Sequence, residues 1–188
     1  MLEVETLVLG PVETNVYLVG DIRTKECVVI DPAWDGEIIA QTADRRGWTI
    51  QQIWLTHAHF DHVGYLDAFP NAKVFAHQKE LAWVAGLPAW SIGYGSFSIE
   101  KIERVRKQMI VVYGERAQIL PGIEVVYAGG HSAGSMAVVV NTKKGRVCLC
   151  GDNCFLYETI EEHLPIGLTN NLYESLGFME KLSSMGDI

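Results

Sequence analysis

The stretch Thr56-His57-Ala58-His59-Phe60-Asp61-His62 decides how this chain is read. It carries three of the protein's six histidines, with an aspartate among them. Imidazole nitrogen and carboxylate oxygen are the ligands that a borderline divalent metal such as Zn²⁺ prefers. The residues just before it, 52–55, read as a short strand, and residues 63–68 just after it predict a short helix. The motif therefore sits on a strand-end loop, where several side chains can be aimed at one point. His57 and His59 are two positions apart, so an extended backbone points both the same way. Asp61 and His62, beyond a turn, face a second point nearby.

Working outward, residues 3–9 and 14–19 read as paired strands about a Gly10-Pro11 turn. Residues 27–30 form a third strand ending at Asp31-Pro32, and 36–46 a helix closed by Gly47. Beyond the motif, 73–76 is a strand and 78–85 has helical spacing. Residues 86–95 carry Trp90 and Tyr94 among Gly, Pro and Ser and read as a surface loop or lid. A helix is expected over 99–108. The second half returns to strands at 110–113, 117–120, 124–128, 136–141 and 146–150, the last two joined by the hairpin signal Thr142-Lys143-Lys144-Gly145. Residues 171–182 predict a closing amphipathic helix. Strands and helices recur in both halves, a pattern that two sheets between helices accommodate in one domain over 1–188.

Two further loops carry ligand-type residues. His131 lies in Gly129-Gly130-His131-Ser132-Ala133-Gly134-Ser135, straight after a strand, and its glycines permit a tight turn close to a metal. Asp152 follows the apolar run 147–150 through Gly151. His77, at the start of a helix, reads as a partly exposed helix-start residue, and His163 lies on an acidic loop. Trp83, Trp90, Tyr94 and Phe97 either roof an apolar substrate pocket or pack a loop or a homodimer contact.

The bulk numbers narrow the partners. The chain has 188 residues, 48% hydrophobic and 20% charged, with a net charge of −8. This acidity lacks the footprint of a nucleic-acid binder and disfavours an anionic membrane surface. No apolar stretch approaches the roughly 20 residues a membrane span needs. The N-terminus is acidic and has no signal core. Cys27, Cys148, Cys150 and Cys154 are therefore expected to be reduced thiols, and the location cytoplasmic. Cys150 and Cys154 read as core packing.

The ordered set His-x-His-x-Asp-His, a Gly-His-Ser turn and a Gly-Asp after a strand resembles the metallo-β-lactamase superfamily. Thr14-Asn15-Val16-Tyr17-Leu18-Val19 and Val29-Ile30-Asp31-Pro32 resemble its N-terminal motif. Residues 119–127, the His131 turn and Asp152 look like the N-acyl-homoserine lactonase branch, and the N-terminal half looks equally like glyoxalase-II-type thioesterases. The resemblance implies an α/β fold, an αββα four-layer sandwich with metals at one edge of the sheets. It implies that His57, His59 and His131 hold one divalent metal, most simply Zn²⁺. Asp61 and His62 would hold a second, Asp152 would bridge, and Asp31 would support the site from behind. A metal-activated water, deprotonated near neutral pH, would then attack the carbonyl of a small-molecule lactone, ester, thioester or amide. Asp61 would relay a proton to the leaving group.

The lactonase branch carries a tyrosine three residues after the bridging aspartate. That position is Phe155 here, and Tyr157 stands in as the candidate catalytic tyrosine. The superfamily also supplies a histidine on a strand after the last helix. None follows His163, so the chain is expected to be short at its C-terminus and the second metal under-ligated. The alternatives are a mononuclear iron dioxygenase-type oxidoreductase and a non-catalytic relative.

Overall fold

The computed structural model describes residues 1–88 and 99–187. Six strands are hydrogen-bonded in the order β6-β5-β4-β3-β2-β1: β1 (Leu2–Leu9), β2 (Thr14–Asp21), β3 (Glu26–Ile30), β4 (Thr49–Trp54), β5 (Lys73–His77) and β6 (Met109–Val112). A second group comprises β7 (Arg116–Leu120), β8 (Ile123–Tyr127), β9 (Met136–Thr142) and β10 (Gly145–Leu149), with β9 between β8 and β10. The Leu2–Thr142 pair is the register contact between β1 and β9.

Strand alternation builds three cores. Val28 and Ile30 of β3, Trp54 of β4 and Phe75 of β5 point between the two groups, against Val125, Met136, Val138 and Val140. The opposite set, Cys27, Val29, Ile53 and Val74, packs on Ile39 and Ala43 of α1 (Gly36–Arg46). On the far side, Val126, Ala137 and Val139 meet Phe178, Met179 and Leu182 of the closing helix Leu172–Leu182. The layers are therefore helix, sheet, sheet and helix, as expected. Burying each of these large apolar side chains contributes about 1.5–3 kcal/mol. No helix among the described residues is long and apolar enough to cross a membrane.

Strands β3 to β6 are parallel, so their C-terminal ends share one edge of the sandwich. Asp31 leaves β3 there, and the Thr56–His62 stretch leaves β4 there. Open α/β sheets place ligands at such carboxyl ends.

Three local expectations are corrected. The helix expected over 63–68 starts earlier, as α2 (Phe60–Val63), and is followed by a separate 3₁₀ turn, Leu66–Ala68. His59 stays extended and accepts the first helical hydrogen bonds from His62 N and Val63 N, while Tyr65 N is drawn off to Pro32 O. Beyond α3 (Gln78–Gly86), the helix expected over 99–108 divides into α4 (Ile99–Arg104) and a 3₁₀ turn, Arg106–Gln108. Between them Val105 is inserted in the core beside α1. His77 starts α3 as expected, but it is buried. Its Nδ1 accepts from Lys79 N, its Nε2 donates to Gly114 O, and its ring stacks on Tyr127. The 86–95 loop with Trp90 and Tyr94, and Phe97, lie outside the described residues except for 86–88.

Candidate metal centre

Three strand ends bring the predicted residues together. His57 and His59 follow β4, His131 follows β8, and Asp152 follows β10 on a 3₁₀ turn, Gly151–Asn153. Three ring nitrogens form a tight triangle: His57 Nε2 to His59 Nδ1 is 2.9 Å, His131 Nε2 to His59 Nδ1 is 3.0 Å, and His131 Nε2 to His57 Nε2 is 3.2 Å. Gly151 has φ +53, and a Cβ there would lie 2.7 Å from Thr56 Oγ1, so only glycine carries the chain past Thr56 to Asp152.

The protons in this triangle can be placed from the surroundings. Thr56 Oγ1 spends its one hydrogen on Asp31 Oδ2 at 2.6 Å, so it must accept from His57 Nδ1 at 3.0 Å. His131 Nδ1 donates to the Leu168 carbonyl at 2.7 Å. Both Nε2 atoms are therefore bare lone pairs 3.2 Å apart. Two acceptors cannot bond each other, and one N–H on His59 cannot satisfy the set fully. A cation shared by all three nitrogens does, and the far-side hydrogen bonds are the kind that orient metal-binding imidazoles.

A second group adjoins the first. His62 Nδ1 donates to Asp31 Oδ2 at 2.9 Å. Its Nε2 is buried without a hydrogen bond of acceptable geometry, although Asp152 Oδ1 is 3.2 Å away and Asp61 Oδ2 3.5 Å. Thr14 Oγ1 donates to Asp61 Oδ2 at 3.3 Å. Asp152 faces both groups: Oδ1 looks to His62, and Oδ2 lies 3.7 Å from His131 Nε2. His57, His59, His131 and Asp152 thus form one set that could hold a metal ion, and Asp61, His62 and Asp152 a second.

Electrostatics follow from burial and these neighbours. Burial holds His57 and His131 below the ordinary histidine value, and takes His59 down to about 3, with adjoining histidines adding to the effect on His57 and His59. Burial alone would also lower His62, but the carboxylates of Asp31 and Asp152 outweigh it and raise it to about 10. Burial likewise opposes ionisation of Asp152, yet His62, His131 and His59 hold its carboxyl below the usual range.

In the metal-free protein these shifts make opposite contributions. The His62 contribution is full below the free-histidine value of 6.5 and is lost as pH rises toward 10. Keeping His59 neutral costs more as pH falls from 6.5 toward 3. Thermal unfolding of the metal-free protein is therefore expected to show greatest stability near pH 6.5, with a decline on both sides. A melting temperature that climbs steadily between pH 6.5 and about 9 would show that His62 is not held by these carboxylates.

The remaining candidates fall outside the two sets. Tyr157 begins α5 (Tyr157–Glu161) and is exposed, as is Phe155. Tyr157 lies close enough to Tyr17 to act on it: burial first, then Cys150, Asp31, Tyr157 and Asp152, push the Tyr17 hydroxyl up. His163 is exposed beyond α5. Cys148, Cys150 and Cys154 are free thiols packed against the core under the closing helix.

Sequence reasoning missed two features of the centre. The Leu168 carbonyl, which fixes the His131 tautomer, had no signal, because any residue supplies a carbonyl. Glu80 is 1% exposed on α3, and its signal was an acidic residue four positions from buried Val84 on the same helix face.

The family model described as the metallo-beta-lactamase superfamily matches residues 9–183. The chain belongs to this superfamily. The superfamily member is 31% identical over 153 residues to "Probable metallo-hydrolase YqgX" of Bacillus subtilis, a match covering 78% of this chain and 69% of that protein. A hydroxyacylglutathione hydrolase of Maricaulis maris is 38% identical over 74 residues, covering 38% of this chain and 28% of its own length. The fold matches a solved quorum-quenching N-acyl homoserine lactone lactonase with a TM-score of 0.74 at 18% identity, covering 91% of this chain and 73% of that one.

Proposed function

We propose that this superfamily member is a two-metal hydrolase that opens a lactone or cleaves a related ester, thioester or amide. The observation that carries this reading is the pair of ligand sets sharing Asp152, one carboxylate oxygen toward each. His57, His59 and His131 would hold one divalent metal, Asp61 and His62 the other, with Zn²⁺ the first candidate for this nitrogen and oxygen donor set. Bound there, such metals acidify a water to a pKa near 7 and polarise a carbonyl. The chain's own work is to keep the histidines neutral and oriented. Thr56 and the Leu168 carbonyl direct the Nε2 lone pairs of His57 and His131 inward. Asp61, part exposed and steadied by Thr14, is placed to accept a proton and pass it to a leaving group.

Exposed apolar side chains border these loops. Phe60 follows His59, Phe155 and Leu156 follow the Asp152 turn, and Leu168 bears the carbonyl that holds His131. They suit an apolar acyl group, with Tyr157 as a polar contact at the same rim. The free thiols and the acidic chain suit a cytoplasmic setting. The Asp61-His62-Asp152 set favours a two-metal hydrolase over a mononuclear iron oxidoreductase.

Elemental analysis, then a panel of lactones, thioesters and β-lactams with His59→Ala and Tyr157→Phe, tests the proposal. Two divalent ions per chain are expected, with turnover abolished in His59→Ala and reduced in Tyr157→Phe. One iron per chain, or equal turnover by wild type and His59→Ala, overturns it.

A further inference from the structure

Beside Asp31, a second buried acid outside the two ligand sets accepts three hydrogen bonds: Glu80, near the start of α3. Its Oε1 accepts from Ala58 N at 2.8 Å, and Ala58 is the residue between His57 and His59. Its Oε2 accepts from Ser132 Oγ at 2.7 Å and Gly134 N at 2.8 Å, both in the loop that presents His131. Ser135 Oγ lies 2.7 Å from Ser132 Oγ, extending the chain of hydroxyls into the same loop. One carboxylate thus grips both histidine loops, one oxygen to each. The contact is close: a Cβ on Gly134 would stand 2.1 Å from Glu80 N, so that position admits no side chain without moving α3.

We infer that Glu80 is a positioning residue that sets the spacing of the His57/His59 loop against the His131 loop, and thereby the affinity of the first metal site. The inference rests on the metal-centre reading proposed above. A separate backbone bond, Met136 N to Thr56 O at 2.8 Å, ties the loops at their bases. Loss of Glu80 therefore loosens the tips that carry the ligands while the strands stay joined.

Glutamine is the informative replacement. Each carboxylate oxygen faces a backbone N–H, so in Glu80→Gln either orientation of the new amide sets its NH₂ against a donor and releases one loop. Groups hydrogen-bonded directly to metal ligands are worth roughly 10–100-fold in metal affinity, and Glu80 holds the backbone beside three such candidates.

The test is a competition titration of chelator-stripped protein with Zn²⁺ and a chromogenic chelator, beside thermal unfolding of the metal-free forms. Glu80→Gln is expected to bind Zn²⁺ about 10–100-fold more weakly than wild type. Ile39→Val, a core change on the buried face of α1, is expected to lower stability and leave Zn²⁺ affinity unchanged. Should Glu80→Gln fail to fold, Ser132→Ala removes one of the three donors, and a weakening of a few-fold is expected. Zn²⁺ affinity within twofold of wild type in the folded variant, or a loss matched by Ile39→Val, overturns the inference. A wild-type protein that takes up no Zn²⁺ instead counts against the metal centre itself.

Discussion

Asp152→Ala is expected to cut hydrolytic activity by on the order of 10²–10³-fold, the loss typical of removing one fixed electrostatic group from a reacting centre. The reason is that this carboxylate belongs to both ligand sets. Its Oδ1 lies 3.2 Å from His62 Nε2 and its Oδ2 3.7 Å from His131 Nε2, so one truncation opens both of the proposed metal positions. The same variant should hold fewer than two metals per chain. Its fold should persist, because the Asp152 side chain is 24% exposed and lies on a short turn beyond β10. Circular dichroism, elemental analysis and turnover on the substrate panel together check this. A folded Asp152→Ala protein with full metal content and activity within tenfold of wild type removes the shared carboxylate from the mechanism.

Asp31→Ala acts on stability instead. Asp31 is 1% exposed and accepts from Thr56 N at 2.7 Å, Thr56 Oγ1 at 2.6 Å and His62 Nδ1 at 2.9 Å. Its removal strands a buried amide, a buried hydroxyl and, in the metal-free protein, a charged imidazole. Breaking one partner of a buried pair of this kind costs about 3–5 kcal/mol. Asp31 also has φ +54, a conformation that asparagine tolerates better than alanine. Asp31→Asn therefore isolates the hydrogen-bond loss from backbone strain, since its NH₂ must face one of three donors. Urea denaturation of the metal-free proteins measures both, and both should be strongly destabilised. A cost below about 1 kcal/mol for Asp31→Asn would leave backbone strain, and not the donors, as the role of this position.

Much of the architecture was legible along the chain. The hairpin about Gly10, the helix Gly36–Arg46 and the strands of the second half fall where turn residues and alternation place them. These signals are local: period two for a strand, glycine at φ +65 to close α1 at Gly47. The errors came where a distant contact overrode the local pattern. Tyr65 N finds Pro32 O, so the helix after the motif is cut short, and Val105 turns into the core, so the helix over 99–108 divides. His77 looked like an ordinary helix start because nothing in its neighbourhood reveals Gly114 and Tyr127 lying over it.

By itself the sequence determined which residues offer nitrogen or carboxylate donor atoms and that Asp31, His57, His131 and Asp152 lie just beyond strands, because residue type and backbone period are properties of short segments. The order of the strands, the way one carboxylate serves two sets, and the grip of Glu80 on both histidine loops were decided only in the folded chain. So was the state of each imidazole. Which ring nitrogen is bare depends on the group facing the other one, and for His131 that is a carbonyl 37 residues away. The Thr56-to-His62 stretch carries four of the six candidate donors, but partners remote in sequence turn the Nε2 lone pairs of His57 and His131 toward a common point.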